Sequence, residues 1–333
     1  MVTGLAPPPS DPVALPPARR PGSVRRTSTV LMSWPGGLGT DLLLQGRARD
    51  LLTPVDGTPE VLVESELTAL TGRERDIKRI ESDPPVAGLD KLVGSRAGGN
   101  LRKSINAELS EQRENGTPLY LLLDDLAGAT LISGFAMFRW AEVIPEIGER
   151  IKAGSQGRIM LGTCSGFREG SAALNPDGTL NHVSKNTVRT APLDDPADPY
   201  SWHEVHPNPE IAMRRARRID VWAEGDATVI DAMFRDSVWN PEGEEEVLHE
   251  YQMTGRADRA TGILQEVEAI PRVLPYSECP LAAPNASWLV GTDITALRTE
   301  VLERLRSSDC CTHLNDALRS LAEVPVLAAA LPR

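Results

Sequence analysis

With 333 residues, 41% hydrophobic and 25% charged, the chain has the make-up of a globular protein, long enough for two ordinary domains or one large domain made by duplication. A formal charge of −12 with only 4% aromatic residues excludes functions built on phosphate attraction or base stacking, so no nucleic-acid partner is expected. No run approaches the roughly 18 apolar residues of a bilayer span, so no membrane partner is expected either.

Residues 1–24 are Pro-rich and lack the apolar stretch of a signal peptide, which predicts a disordered leader. Four cysteines in a chain without a secretion signal are expected to be reduced, and the compartment cytoplasmic. From Arg25-Arg26 a first unit, residues 25–140, reads as extended segments followed by helices. Pro35-Gly36-Gly37-Leu38-Gly39-Thr40 lacks the lysine of a phosphate-binding loop and reads as a turn.

The same order starts again near Arg217-Arg218. Arg49-Asp50 is answered by Arg235-Asp236 and Glu60–Glu64 by Glu246–Glu250, both at an offset of 186 (235 − 49 and 246 − 60). Ile77 and Pro85 match Ile263 and Pro271 at that offset, and Asp124 matches Asp316 after small gaps. A period this long means two related domains rather than a solenoid. Residues 141–212, with Cys164 in a Gly/Ser-rich turn, do not repeat and form a long connection, the kind of segment that often carries function. His203 and His206 fall there among prolines and read as loop residues, and the run Arg214–Arg218 as a solvated approach to a strand.

In the second unit, residues 213–333, four strands are expected over Arg218–Glu224, Thr228–Val238, Glu246–Ala257 and Ile263–Ile270. Alternation puts Val247, His249, Tyr251 and Met253 on one face of the third. Pro280 suits a helix start, and Ile294–Arg306 and Thr312–Leu321 carry leucine and isoleucine at helical spacing. The class is therefore α+β, two related units that are each an antiparallel meander followed by helices on one side.

Thiol and imidazole chemistry is concentrated near the end, in Cys279, Cys310, Cys311 and His313. The first unit has Val63, Leu119 and Leu121 where the second has His249, Cys311 and His313. Burying polar groups in place of aliphatic ones costs on the order of 1–3 kcal/mol when unsatisfied, so the exchange points to a site. Cys279, Cys311 and His313 are expected to ligate zinc or iron, with Cys164 completing the shell, and Cys279 and Cys311 at helix starts. Two other readings stay open: a reactive thiol without metal, and inert packing with Thr312 as helix cap and His313 exposed. The Arg235-Asp236 and Asp124/Asp316 positions, shared by both units, read as architectural ion pairs.

The motifs Arg25-Arg26-Thr27, Phe234-Arg235-Asp236-Ser237, Leu248-His249-Glu250-Tyr251, Leu274–Pro280 and Cys311–Asp316 resemble a bacterial family named only as domain of unknown function 2889. The resemblance implies no activity. In element order alone the chain is similar to NifU-type iron–sulfur scaffold domains, which implies a ligand-bearing last helix. As an enzyme, the chain would use a metal-bound water against a small organic substrate, with Glu278 or Glu250 as general base. The rivals are a metal or iron–sulfur carrier without turnover, and a non-catalytic interaction module. The sequence gives no oligomeric state.

Overall fold

The computed structural model describes residues 5–141, 143–154, 160–181 and 186–332, so residues 1–4, 142, 155–159, 182–185 and 333 lie outside it. The first half contains β1 (Ser23–Ser33), β2 (Leu42–Thr53), β3 (Glu60–Thr71) and β4 (Ile77–Asp83). Then come α1 (Leu101–Glu108), α2 (Ser110–Glu114), α3 (Pro118–Ile132), α4 (Phe135–Trp140) and α5 (Pro145–Gly154). After β5 (Val188–Arg189), the second half contains β6 (Ala212–Glu224), β7 (Ala227–Trp239), β8 (Glu245–Asp258) and β9 (Leu264–Val273). It closes with α6 (Leu297–Arg304), α7 (Thr312–Ser320) and α8 (Val324–Ala329). The fold is α+β.

The strands form one antiparallel sheet in the order β4-β3-β2-β1-β6-β7-β8, with β9 and the short β5 both pairing with β8. The two meanders are thus fused edge to edge along β1 and β6. Ser28 lies opposite Arg217 at the centre of that pairing. An offset of 189 (217 − 28) therefore carries each β1 residue onto its counterpart in β6 and leaves the register unchanged.

The relation continues outward. Arg26 faces Asp50 and Arg215 faces Asp236. Asp50 in turn faces Val63, and Asp236 faces His249. Bulges fall at matching places, Asp50/Leu51 with Asp236/Ser237 and Leu70/Thr71 with Arg256/Ala257. The β2 and β3 positions keep the offset of 186 (236 − 50) expected from the sequence, while Arg26 and Arg215 keep the 189 of the central strands.

Three details differ from expectation. The counterpart of Arg25-Arg26 is Arg214-Arg215 rather than Arg217-Arg218, so β6 begins at Ala212, six residues before the expected strand. Thr71 pairs with Ile77 and Ala257 with Leu264, so Ile77 answers Leu264 and not Ile263. The bulge in β8 also sets Val247 opposite Ser237 while His249 stays opposite Asp236, which turns Val247 to the other face from His249.

The run Arg214–Arg218 is a buried strand rather than a solvated approach. Its charges are satisfied across strands and by helices, as buried charge requires. Arg215 holds Asp236 in a bidentate pair (2.9 and 3.0 Å), as Arg26 holds Asp50 (both 2.6 Å). Asp50 and Asp236 are architectural in that sense, but their partners lie on the neighbouring strand, and Arg235 bonds Glu250 instead.

Helices cover one face. Thr117 caps α3, accepting from the Tyr120 N–H at 3.2 Å, Pro118 sits in its first turn, and the helix lies across β1, β2 and β3. Against expectation, the helical stretch Pro118–Trp140 has the length and mean hydropathy (1.5) of a bilayer span; 67% of that apolar window is buried inside the protein. It is a core helix, since α3 covers the centre of the first half.

Between the two halves, Asp124 of α3 accepts from Arg102, Arg298 and Arg319, while Asp316 of α7 accepts from Arg102 and Arg215. Asp124 and Asp316 are the expected ion pairs, joined in one buried network.

The opposite face is covered by the connection and the leader. His203 bridges Thr27 and Thr29 (2.8 Å each), and Arg25 and Arg49 donate to the Ser201 and Tyr200 carbonyls. The expected disordered leader is instead, over residues 5–22, laid along the sheet. Asp11 donates to the Arg272 carbonyl at 2.9 Å, and Val13 bonds both Glu250 and Arg235. Extended Pro-rich backbone serves here to satisfy buried charge, which composition alone does not reveal.

Candidate functional site

On the helix-covered face, β7, β8 and α7 meet beneath a cavity of about 420 Å³. Asp236 and His249 are cross-strand neighbours, and His313 comes down onto them from the first turn of α7. The His249 and His313 rings stack with centroids 3.5 Å apart and planes 15° from parallel. His313 Nε2 lies 3.8 Å from Asp236 Oδ2. Potential ligand atoms of the three residues all fall within 4.8 Å of one another, and theirs is the compact Cys/His/carboxylate group among the described residues.

Arg215 sits behind Asp236 and shares its charge with Asp125 and Asp316 at 3.2 and 3.1 Å, so it fixes the carboxylate without neutralising it alone. Its guanidinium also lies over the Phe234 ring, 4.9 Å from the centroid, and that ring is 6.3 Å from His313.

Cys164, Cys279 and Cys311 line the same cavity. Cys279 opens a 3-10 helix (Cys279–Leu289) and Cys311 is the N-cap of α7, both at helix starts as expected. Cys311, not Thr312, is therefore the cap. Its sulfur is 4.0 Å from His313 Nδ1. Cys164 is carried in by the connection: Ser165 donates its N–H to the Cys310 carbonyl at 2.7 Å and its hydroxyl to the Cys279 carbonyl at 3.2 Å. A Cβ on Gly166 would stand 2.8 Å from the Cys279 sulfur and 3.8 Å from that of Cys164, so glycine is what lets the connection close over both thiols.

Cys164, Cys279, Cys311 and His313 thus share the wall of one cavity. As a four-ligand shell they do not reach the spacing that Asp236, His249 and His313 have.

Burial sets the protonation of the thiols. It pushes Cys164 up to about 12 and Cys310 up to about 11, and takes Cys279 well above its ordinary value. Burial raises Cys311 too, while the Tyr251 hydroxyl and the N–H groups of Leu314 and His313 pull it back. The cluster is held neutral, and a cation would reverse that balance.

The two expected bases lie elsewhere. Glu250 points to the leader side of the sheet, fully buried against Arg235 and the Val13 N–H. Glu278 is buried beside Cys279 and accepts from the Ala172 N–H at 3.1 Å, behind the cavity wall.

Sequence reasoning passed over Asp236, whose counterpart Asp50 made it look purely structural, and left His249 undecided. It also missed the apolar walls, contributed by α3 and α4 on one side and residues 160–180 on the other. A signal was available: three of the chain's four phenylalanines, Phe135, Phe138 and Phe167, line this cavity.

No curated protein and no solved structure matches the chain, so the NifU-type likeness has only element order behind it. Residues 213–327, which hold β6–β9 with Asp236, His249, Cys279, Cys311 and His313 but not Cys164, match the family described as protein of unknown function (DUF2889), as their motifs led one to expect.

Proposed function

We propose that this protein is a metal-dependent enzyme whose ion, zinc or iron, is held by Asp236, His249 and His313. The observation that carries the reading is the compact group of two histidines and one carboxylate, in which His249 and His313 line a roomy cavity and Asp236 lies buried beside them. Three protein ligands leave positions open for water and substrate, which is the pattern of catalytic rather than carrier sites. With no carboxylate base on the cavity wall among the described residues, the bound water would be activated by the ion itself. Cys311, its sulfur 4.0 Å from His313 Nδ1, stands close enough to the group to contact a substrate or to enter the shell after a side-chain rotation. The substrate is a small organic molecule, and the cytoplasm the expected compartment.

Elemental analysis of protein purified without a His tag tests this. Near-stoichiometric zinc or iron in the wild type should be lost in Asp236→Asn and His313→Ala and retained in Cys164→Ser. Metal absent from the wild type, or unaffected by the first two substitutions, would remove the reading.

A second reading has its own observation. Cys311 Sγ, the His313 ring and Asp236 follow one another at 4.0 and 3.8 Å, the order of a thiol nucleophile, a base and its orienting acid. Metal-free protein in which Cys311 is alkylated selectively, and protected by His313→Gln, would favour it.

We also propose that the two halves descend from one duplicated meander-and-helix unit, supported by the shared register and matching bulges. Superposing the backbone of residues 42–71 on 228–257 tests it; strands that align only after a register slip would end the idea.

A further inference from the structure

We infer that the cavity takes an uncharged ligand with an extended apolar body and a single polar head. The inference rests on reading this cavity as the substrate site, and it goes on to the chemistry of what enters. His249, His313 and Cys311 form one polar cluster of the wall, the two rings stacked and the Cys311 sulfur 4.0 Å from His313 Nδ1, and Thr163, Thr312 and Tyr276 bring the hydroxyls of the lining. Most of the remaining wall is apolar, with Leu131, Phe135 and Phe138 coming from the end of α3 and from α4 and Met160, Phe167 and Leu180 from the connection. The described residues that line the cavity include no Lys, Arg, Asp or Glu.

That distribution has two consequences. In the metal-free protein a carboxylate, phosphate or ammonium placed here would lose its hydration and meet no counter-charge among the described lining residues, at a cost of several kcal/mol. An aliphatic or aromatic body would instead remove apolar wall from water, gaining roughly 25 cal/mol per Å² covered. A volume of about 420 Å³ is in the range of sites that enclose small drug-sized molecules. In the metal-free protein the head group must be one that His249, His313 and Cys311 can serve, which means a neutral hydrogen-bonding group such as an ester or ketone carbonyl or a hydroxyl. Its tail then runs out between Phe138 and Phe167 toward Leu131, which is 51% exposed.

The test uses the full chain, stripped of metal, with Nile red as reporter and competitors of equal chain length below their micellar concentrations. Methyl decanoate and decanol should displace the dye at least about tenfold more strongly than decanoate or decylammonium, a difference of about 1.4 kcal/mol. Phe138→Glu, a change at a half-buried wall position, should weaken the neutral competitors by a similar factor and leave the urea midpoint nearly unchanged. Ionic competitors equal to or better than neutral ones would overturn the inference. So would failure of the dye to bind, or a Phe138→Glu protein that folds and binds as the wild type does. Because no metal is present, this result stands apart from the elemental analysis: an apolar site without metal binding, or the reverse, tells which of the two readings has failed.

Discussion

Gly128→Ala probes the joint between the buried ion network and the candidate metal group. Gly128 lies in α3, one turn beyond Asp124 and Asp125, and a Cβ there would stand 2.1 Å from Arg215 Nη1 and 2.7 Å from Asp316 Oδ2. Nη1 cannot retreat cheaply. It donates to Asp125 and Asp316, while Nε and Nη2 of the same guanidinium are fixed on Asp236 at 2.9 and 3.0 Å. Within a helix, replacing glycine by alanine gains about 1 kcal/mol. Displacing one partner from a buried, hydrogen-bonded ion pair costs about 3–5 kcal/mol. The expected net loss is thus about 2–4 kcal/mol, read as a lower urea midpoint at an unchanged slope. Gly148→Ala in α5 is the control, because its Cβ would meet only the Ala141 carbonyl, at 3.8 Å. That variant should be neutral or stabilised by up to about 1 kcal/mol. A Gly128→Ala protein as stable as the wild type would refute the claim that this glycine makes room for Arg215.

Three further outcomes are expected. Burial, with Arg49 and Arg47 nearby, holds His203 well below its ordinary value. Its contribution is therefore complete above the unfolded pKa of about 6.5 and is lost as pH falls, so His203→Gln should flatten the stability profile measured between pH 7 and 5, and an unchanged slope would count against it. Burial alone would raise Asp124, but Arg319, Arg102 and Arg298 outweigh it and hold the carboxyl well below the usual range. Asp124→Asn should cost about 3–5 kcal/mol at pH 7 and make unfolding less acid-dependent below pH about 4, where an unfolded aspartate would protonate; equal acid sensitivity would contradict the assignment. With Cys164 pushed up to about 12 by burial, its alkylation in native metal-free protein should stay slow up to pH 9, as followed by mass spectrometry, and fast modification at pH 8 would show an accessible thiolate.

Much of the secondary structure could be read from the chain because its signals are local. The meander of the second half, the helix starts at Cys279 and Cys311, and the leucine faces of α6 and α7 follow from alternation, capping and helical spacing. The start of β6 could not be read this way. Arginine looks like a solvated residue, and only a second covered face with carboxylates on the neighbouring strand and helix makes Arg214–Arg218 a buried strand. The leader was misjudged for the same reason, since its Pro-rich backbone is held by charges far away in sequence.

By itself the sequence determined the α+β class, the offset that relates β2 and β3 to β7 and β8, and the concentration of cysteine and histidine that drew attention to one end of the chain. The tertiary structure decided which of those groups meet. A one-residue bulge in β8 and the docking of α7 bring Asp236, His249 and His313 together across three elements. It also decided that a distant connection and the end of α3 would wall the cavity above them. Side-chain spacing along a strand or helix is local geometry that sequence records directly, whereas convergence between elements depends on how sheet register and helix packing settle together.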